Sequence, residues 1–246
     1  MPFTLSHPAA VIFSQNKLLN LGGLILGSMA PDFIYFILFS PSSNTGHTLW
    51  GFLFLNLPLC FLLNFLFYNY IQDILFLTLP GSMSKYYVYL KNRKNKINSI
   101  KSFVVFTYSC IIGMLTHVFW DGFTHSSGFF VNHITFLRNK IALFHYKVPI
   151  YKLLQHGSSV IGFFILFIFI FSIRDKNSST INLSINKFNL WISILLIQGV
   201  ILGASFLFSI FFQGYFGIGR LVVTLINGLF LGYLITGILY RNRCTS

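Results

Sequence analysis

The sequence predicts an all-α fold: a polytopic membrane helix bundle of about six transmembrane spans, with a short N-terminal re-entrant or interfacial helix. Three observations predict it. Hydrophobic residues make up 55% of the 246, Phe alone contributes 31, and only 9% are charged, against about 25% in soluble domains. The apolar residues gather into runs close to the roughly 20 residues that a helix needs to cross a bilayer. Between those runs lie short connections rich in Lys and Arg. One integral membrane domain, 1–246, accommodates the whole pattern.

The formal charge of +13 comes from 17 Lys+Arg against four acids, namely Asp32, Asp73, Asp121 and Asp175, with no Glu. A basic balance can signal nucleic acid. Here the cations sit in connections between apolar runs, which reads as orientation at an anionic membrane surface, so no nucleic-acid partner is expected. Cys60, Cys110 and Cys244 show no paired spacing and imply neither a disulfide framework nor a zinc ribbon.

The chain opens Thr4-Leu-Ser6-His7-Pro8, where Ser6 suits an N-cap and Pro8 a first helical turn. This opening helix ends near Lys17 and is too short to span. The first span, about 18–39, contains Gly22, Gly23, Gly27, Ser28 and Ala30, small residues that allow close helix packing. It also carries Pro31-Asp32, an acid inside an apolar run and therefore a functional-site signal. A turn cluster, Pro41 to Gly46, precedes His47 and the second span, about 49–70, with a kink expected at Pro58. Residues 71–79 read as a separate interfacial segment. Lys85 to Lys101 holds six cations and no acid, the strongest cytoplasmic signal in the chain.

The third span, about 102–125, carries His117, Asp121 and His125. Each step of four residues turns only about 40° around a helix, which places the three on one face. Imidazoles and a carboxylate inside an apolar helix are costly without a partner, and a divalent metal suits them. Residues 126–152 read as a loop with short amphipathic pieces, including His133 and His145 as ordinary loop histidines. Three further spans follow at about 155–173, opening with His156, 190–212 and 221–240.

Alternating the sides puts Lys17, the 85–101 loop, Arg174 to Lys187 and the basic C-terminus in the cytoplasm. Twelve of the 17 Lys+Arg then lie inside, leaving Arg138, Lys140, Lys147, Lys152 and Arg220 outside. In this topology His117, Asp121 and His125 fall in the outer half of their span, and His47 and His156 start theirs from outside. Asp32 lies 15 residues beyond Lys17, roughly 22 Å at helical rise. His7 reaches a similar level if the opening helix dips inward. Thus His7, Asp32, His47, His117, Asp121, His125 and His156 converge at one depth as expected ligands of one or two divalent metals. Zinc is the first choice, with manganese or iron as alternatives. With no Glu to act as a base, Asp32 or Asp121 is the expected catalytic carboxylate. No nucleophile elbow and no phosphate-binding loop is present.

The opening Met1-Pro-Phe-Thr-Leu-Ser-His7-Pro-Ala-Ala, Gly27-Ser-Met-Ala-Pro-Asp32-Phe, Gly46-His47-Thr and Thr116-His117-x-x-x-Asp121-x-x-x-His125 together resemble the DUF4184 family of multi-pass bacterial membrane proteins, over essentially the whole chain. A more distant likeness is to membrane-bound metal-dependent hydrolases and zinc-dependent phospholipase C. It implies that His7, Asp32, His47, His117, Asp121 and His125 correspond in kind to metal ligands there, with His156 a weaker correspondence. The soluble phospholipases use an N-terminal Trp and a Glu ligand, and this chain has neither. The expectation is a hydrolase of the bacterial cytoplasmic membrane, acting on a phosphoester or ester of a lipid or envelope precursor. A transporter or proton- or metal-conducting protein built on the same cluster, and a non-catalytic membrane assembly protein, remain the alternatives.

Overall fold

Helix dominates the computed structural model, which describes residues 3–14, 16, 18–90, 95–175 and 186–244. Among the described residues, five helices are long and apolar enough to cross a membrane: Leu49–Thr78, Ile100–His133, Ile150–Ser172, Lys187–Gln213 and Ile218–Arg241. The first expected span is shorter than the sequence suggested. It is an apolar helical stretch, Leu21–Ile37, that tightens into a 3₁₀ turn at Ala30–Asp32 around Pro31. Lys17, Lys91, Arg93, Lys94 and Lys176, on which part of the side assignment rests, lie outside the described residues.

The described residues form two compact units. One comprises Met1–Asp32, Thr45–Cys60 and Lys96–Ser172; the other comprises Phe33–Asn44, Phe61–Asn95 and Ile173–Ser246.

In the first unit the central helix, Ile100–Thr124, starts two residues earlier than expected. Ser99 caps it, accepting from the Ser102 N–H, while the Ser102 hydroxyl receives the Ser99 N–H in return. Its buried residues Phe106, Cys110, Gly113, Met114, His117, Asp121 and Thr124 recur every three or four positions and define one inward face. That face packs on the Leu21–Met29 helix at very short range. A Cβ added to Gly27 would lie 2.1 Å from the Cys110 carbonyl oxygen, and one added to Gly113 would lie 2.5 Å from that of Leu24. Only glycine permits this approach.

The N-terminal segment is a 3₁₀ helix, Thr4–Ala10, with Pro8 inside it. Ser6 is therefore not its N-cap; the Ser6 hydroxyl donates to the Phe3 carbonyl, 2.7 Å away, from within the helix. The segment lies along the Ile150–Ser172 helix, where Gly162 leaves room for Ser6 and the Ser159 hydroxyl accepts from the Phe3 N–H. The short pieces expected in 126–152 include two helices, Phe129–His133 and Thr135–Arg138, and, unexpectedly, an antiparallel hairpin, β1 (Lys140–Leu143) with β2 (Tyr146–Pro149).

The Leu49–Thr78 helix runs through the stretch expected to be interfacial. Ahead of Pro58, where a kink was expected, the helix widens into a π-helical turn, Phe52–Asn56, closed by the Leu57 N–H donating to the Phe52 carbonyl. The wider turn precedes Pro58, which has no N–H to continue an α-helical ladder.

In the second unit Ile74, Leu77, Leu190 and Ile194 form a buried core with Tyr233 and Tyr240 against it. Polar side chains bridge its helices, with the Asn227 amide donating to the Phe36 carbonyl and Arg220 donating to the Ser209 hydroxyl. Gly214 ends the Lys187–Gln213 helix at φ 76°, a left-handed position suited to glycine.

Candidate metal centre

Three short elements of the first unit deliver polar side chains to the inward face of the central helix. The 3₁₀ helix Thr4–Ala10 brings His7, the turn at Ala30–Asp32 brings Asp32, and a second 3₁₀ turn, Thr45–His47, brings His47. The last approach depends on Gly46, where a Cβ would lie 2.0 Å from the Pro31 carbonyl oxygen. The buried Asn56 amide holds that turn by donating to the Gly46 carbonyl at 2.7 Å.

The donor atoms converge. His117 Nε2 lies 3.3 Å from Asp121 Oδ2 and 3.7 Å from Asp32 Oδ1. His47 Nε2 lies 3.4 Å from Asp121 Oδ2 and 3.8 Å from Asp32 Oδ1. Four tetrahedral ligands at zinc distances sit about 3.3–3.4 Å apart; the two separations to Asp121 have that value and the two to Asp32 are a few tenths of an ångström wider. His7 Nε2 stands 3.8 Å from Asp121 Oδ1, and its ring stacks on that of His117 with centroids 3.8 Å apart. His7, His117 and Asp121 form one potential ligand group, and Asp32, His47 and His117 another.

The supporting bonds fix which atoms face inward. His117 Nδ1 donates to the Ser28 carbonyl at 2.7 Å, which turns Nε2 to the cluster. Asp32 Oδ2 accepts from the Thr4 hydroxyl at 2.5 Å, leaving Oδ1 for the centre. His7 Nε2, Asp32 Oδ1, His117 Nε2, Asp121 Oδ1 and His125 Nε2 are all buried without a hydrogen-bond partner among the described residues. Unsatisfied buried polar atoms are rare, and several aimed at one point call for a ligand. His7 lies outside the spanning helices, and burial above all lowers its pKa to about 3, so the imidazole is neutral and able to coordinate. Two carboxylates with neutral imidazoles sum to a charge that one divalent cation cancels, the condition for burying them at low cost.

The cluster is not sealed. Asp32 and His117 are fully buried, whereas the side chains of His47 and His125 are 20% and 26% exposed. His125 is less central than its spacing suggested. It is the C-cap of the central helix in extended backbone, and its Nδ1 lies 3.1 Å from the Asp121 carbonyl oxygen. Two steps of four residues have turned it about 80° from His117.

Of the seven expected ligands, six gather here and His156 does not. It is exposed on the Ile150–Ser172 helix, where its neighbour Gln155 takes the buried position. His133 and His145 are exposed, as expected of loop histidines. Thr4 and the Ser28 carbonyl, which support Asp32 and His117, were not expected from the sequence. The hydroxyl three residues before His7 was a signal for the first; no side-chain signal exists for the second.

A helical membrane protein with a buried His/Asp centre shared by its N-terminal segment and its central helix is the class that this fold and site define. The chain belongs to the family described as a domain of unknown function, DUF4184, whose model matches residues 1–238. Comparison with curated proteins and with solved structures gives no match.

Proposed function

We propose that this protein is a metal-dependent hydrolase of the bacterial cytoplasmic membrane. It cleaves a phosphoester or ester of a lipid or envelope precursor at the outer face, with basic N- and C-terminal connections in the cytoplasm. One observation carries the reading. Asp32, His47 and His117 offer donor atoms close enough to share one cation, with Asp121 Oδ2 3.3 Å and 3.4 Å from the two imidazole nitrogens, on a centre partly exposed along its His47 and His125 side. Two imidazole nitrogens and one carboxylate oxygen, with a fourth position open, suit zinc better than manganese or iron, which favour more ligands. His117 has a single free nitrogen, so the two ligand groups that share it describe one ion with His7 beside it.

Zinc supplies Lewis acidity toward a phosphoryl or acyl oxygen and toward water. The protein's own carboxylates divide the remaining work. Asp32 is fully buried and tied through Oδ2 to Thr4, which suits a ligand held in place. Asp121 lies nearer the exposed side, with Oδ1 3.6 Å from His125 Nδ1, and is the carboxylate suited to accept the proton of an attacking water. His7, stacked on His117, keeps the inner side dry.

A second reading has an observation of its own. Asp121 Oδ2 lies close enough to both imidazole nitrogens to serve as a fourth ligand, which would close a tetrahedral ion in the pattern of structural sites and supports a non-catalytic assembly role. Turnover separates the two. Zinc-loaded protein in nanodiscs, offered phosphodiester, phosphomonoester and carboxylester lipids, is expected to hydrolyse one class, to stop on chelation and to resume when zinc returns. A zinc-loaded protein inert toward all three classes contradicts the hydrolase reading and leaves the structural one.

A further inference from the structure

The β1–β2 hairpin joins two membrane-spanning helices, and its register sorts its side chains sharply. The strands pair Lys140 with Pro149, Ile141 with Val148, Ala142 with Lys147 and Leu143 with Tyr146. Directly paired residues share a face and successive residues alternate. One face is therefore Ile141, Leu143, Tyr146 and Val148; the other carries Lys140 and Lys147.

The apolar face is left open. Ile141 and Leu143 are exposed, Tyr146 is 75% exposed, and Phe144 at the tip is 98% exposed. Phe144 also occupies the first turn position with φ 52°, a left-handed conformation that glycine ordinarily supplies in such turns. A bulky aromatic held there, wholly outside the protein, gains nothing from its own fold. A two-stranded hairpin in water is marginal at best, and an open apolar strand face invites aggregation. Pro149 leads directly into Ile150, the first residue of a spanning helix, so the hairpin begins at the membrane surface.

We propose that the hairpin 140–149 lies in the bilayer interface as an amphipathic foot. Its apolar face and Phe144 enter the boundary between headgroups and acyl chains, and Lys140 and Lys147 meet the phosphates of anionic lipids. The charges match, and the aromatic tip with a basic reverse face is the pattern of interfacial anchors. The occupant is the lipid of the protein's own membrane. Nothing in this assignment depends on the metal centre.

The test places an environment-sensitive NBD label on Phe144→Cys or, separately, on Ala142→Cys, each with Cys244→Ser. Cys60 and Cys110 are buried and escape labelling. The protein is reconstituted in phosphatidylethanolamine vesicles with and without phosphatidylglycerol. The label at 144 is expected to emit to the blue and to be quenched by spin-labelled lipid. The label at 142 is expected to be quenched by aqueous iodide. Phosphatidylglycerol is expected to deepen the 144 label, and Lys140→Gln/Lys147→Gln to abolish that deepening. Equal iodide quenching at both positions overturns the anchor. A 144 label whose depth ignores phosphatidylglycerol overturns the phosphate contact.

Discussion

His117 Nδ1 donates a 2.7 Å hydrogen bond to the carbonyl of Ser28, on a different helix. That bond orients the most buried histidine in the centre and aims its remaining nitrogen at Asp32 and Asp121. It exists because the two helices approach more closely than any side chain other than glycine permits at Gly27 and Gly113. The chemistry of the site is thus set by two residues that contribute no atom to it.

Gly113→Ala tests this dependence. The added Cβ would meet the backbone at Leu24 and Ser28, 2.5 and 2.6 Å away, where neither can yield as a flexible side chain would. Overpacking of this kind costs about 1–3 kcal/mol. The variant is expected to melt at a lower temperature in detergent and to bind zinc more weakly, because the Ser28 carbonyl is pushed off His117. Thermal unfolding and zinc titration of the same sample read both effects. Unchanged zinc affinity would detach the helix packing from the site.

Thr4 offers a gentler perturbation. Its hydroxyl donates to Asp32 Oδ2, and Val replaces it at nearly equal volume without the donor. Partners that orient metal ligands are typically worth about 10–100-fold in metal affinity. Thr4→Val is expected to lose zinc affinity in that range while folding normally, and Thr4→Ser to restore it. Competition with a chromogenic chelator measures all three proteins. Equal affinities would mean that Asp32 needs no such support.

Much of this was legible in the sequence, for physical reasons that also mark where legibility stopped. The central helix is announced by the repeat of its apolar face, and the His117–Asp121 pair by a spacing that only a helix gives meaning. Asp32 was visible because an acid in an apolar run is costly. Its meeting with His47 followed from the topology, but the means of their 3.8 Å approach did not, since that rests on a missing Cβ at Gly46 against the Pro31 carbonyl. His156 and Gln155 are adjacent, and tertiary packing alone chose Gln155 for burial. The hairpin was hidden because its turn, Phe144-His145, contains none of the glycine or asparagine that usually announces one. The span at 18–39 was overestimated because Pro31 reads as one more apolar residue in composition, yet tightens the chain in space.

The most direct test of the account is metal content, by elemental mass spectrometry, of detergent-purified wild type and of His117→Ala/Asp121→Ala. The account predicts one equivalent of zinc in the wild type, none in the double variant, and a monodisperse peak for both. A wild type that is monodisperse, free of metal and unable to take up added zinc, manganese or iron would contradict it, and the cluster would then be a buried polar network alone.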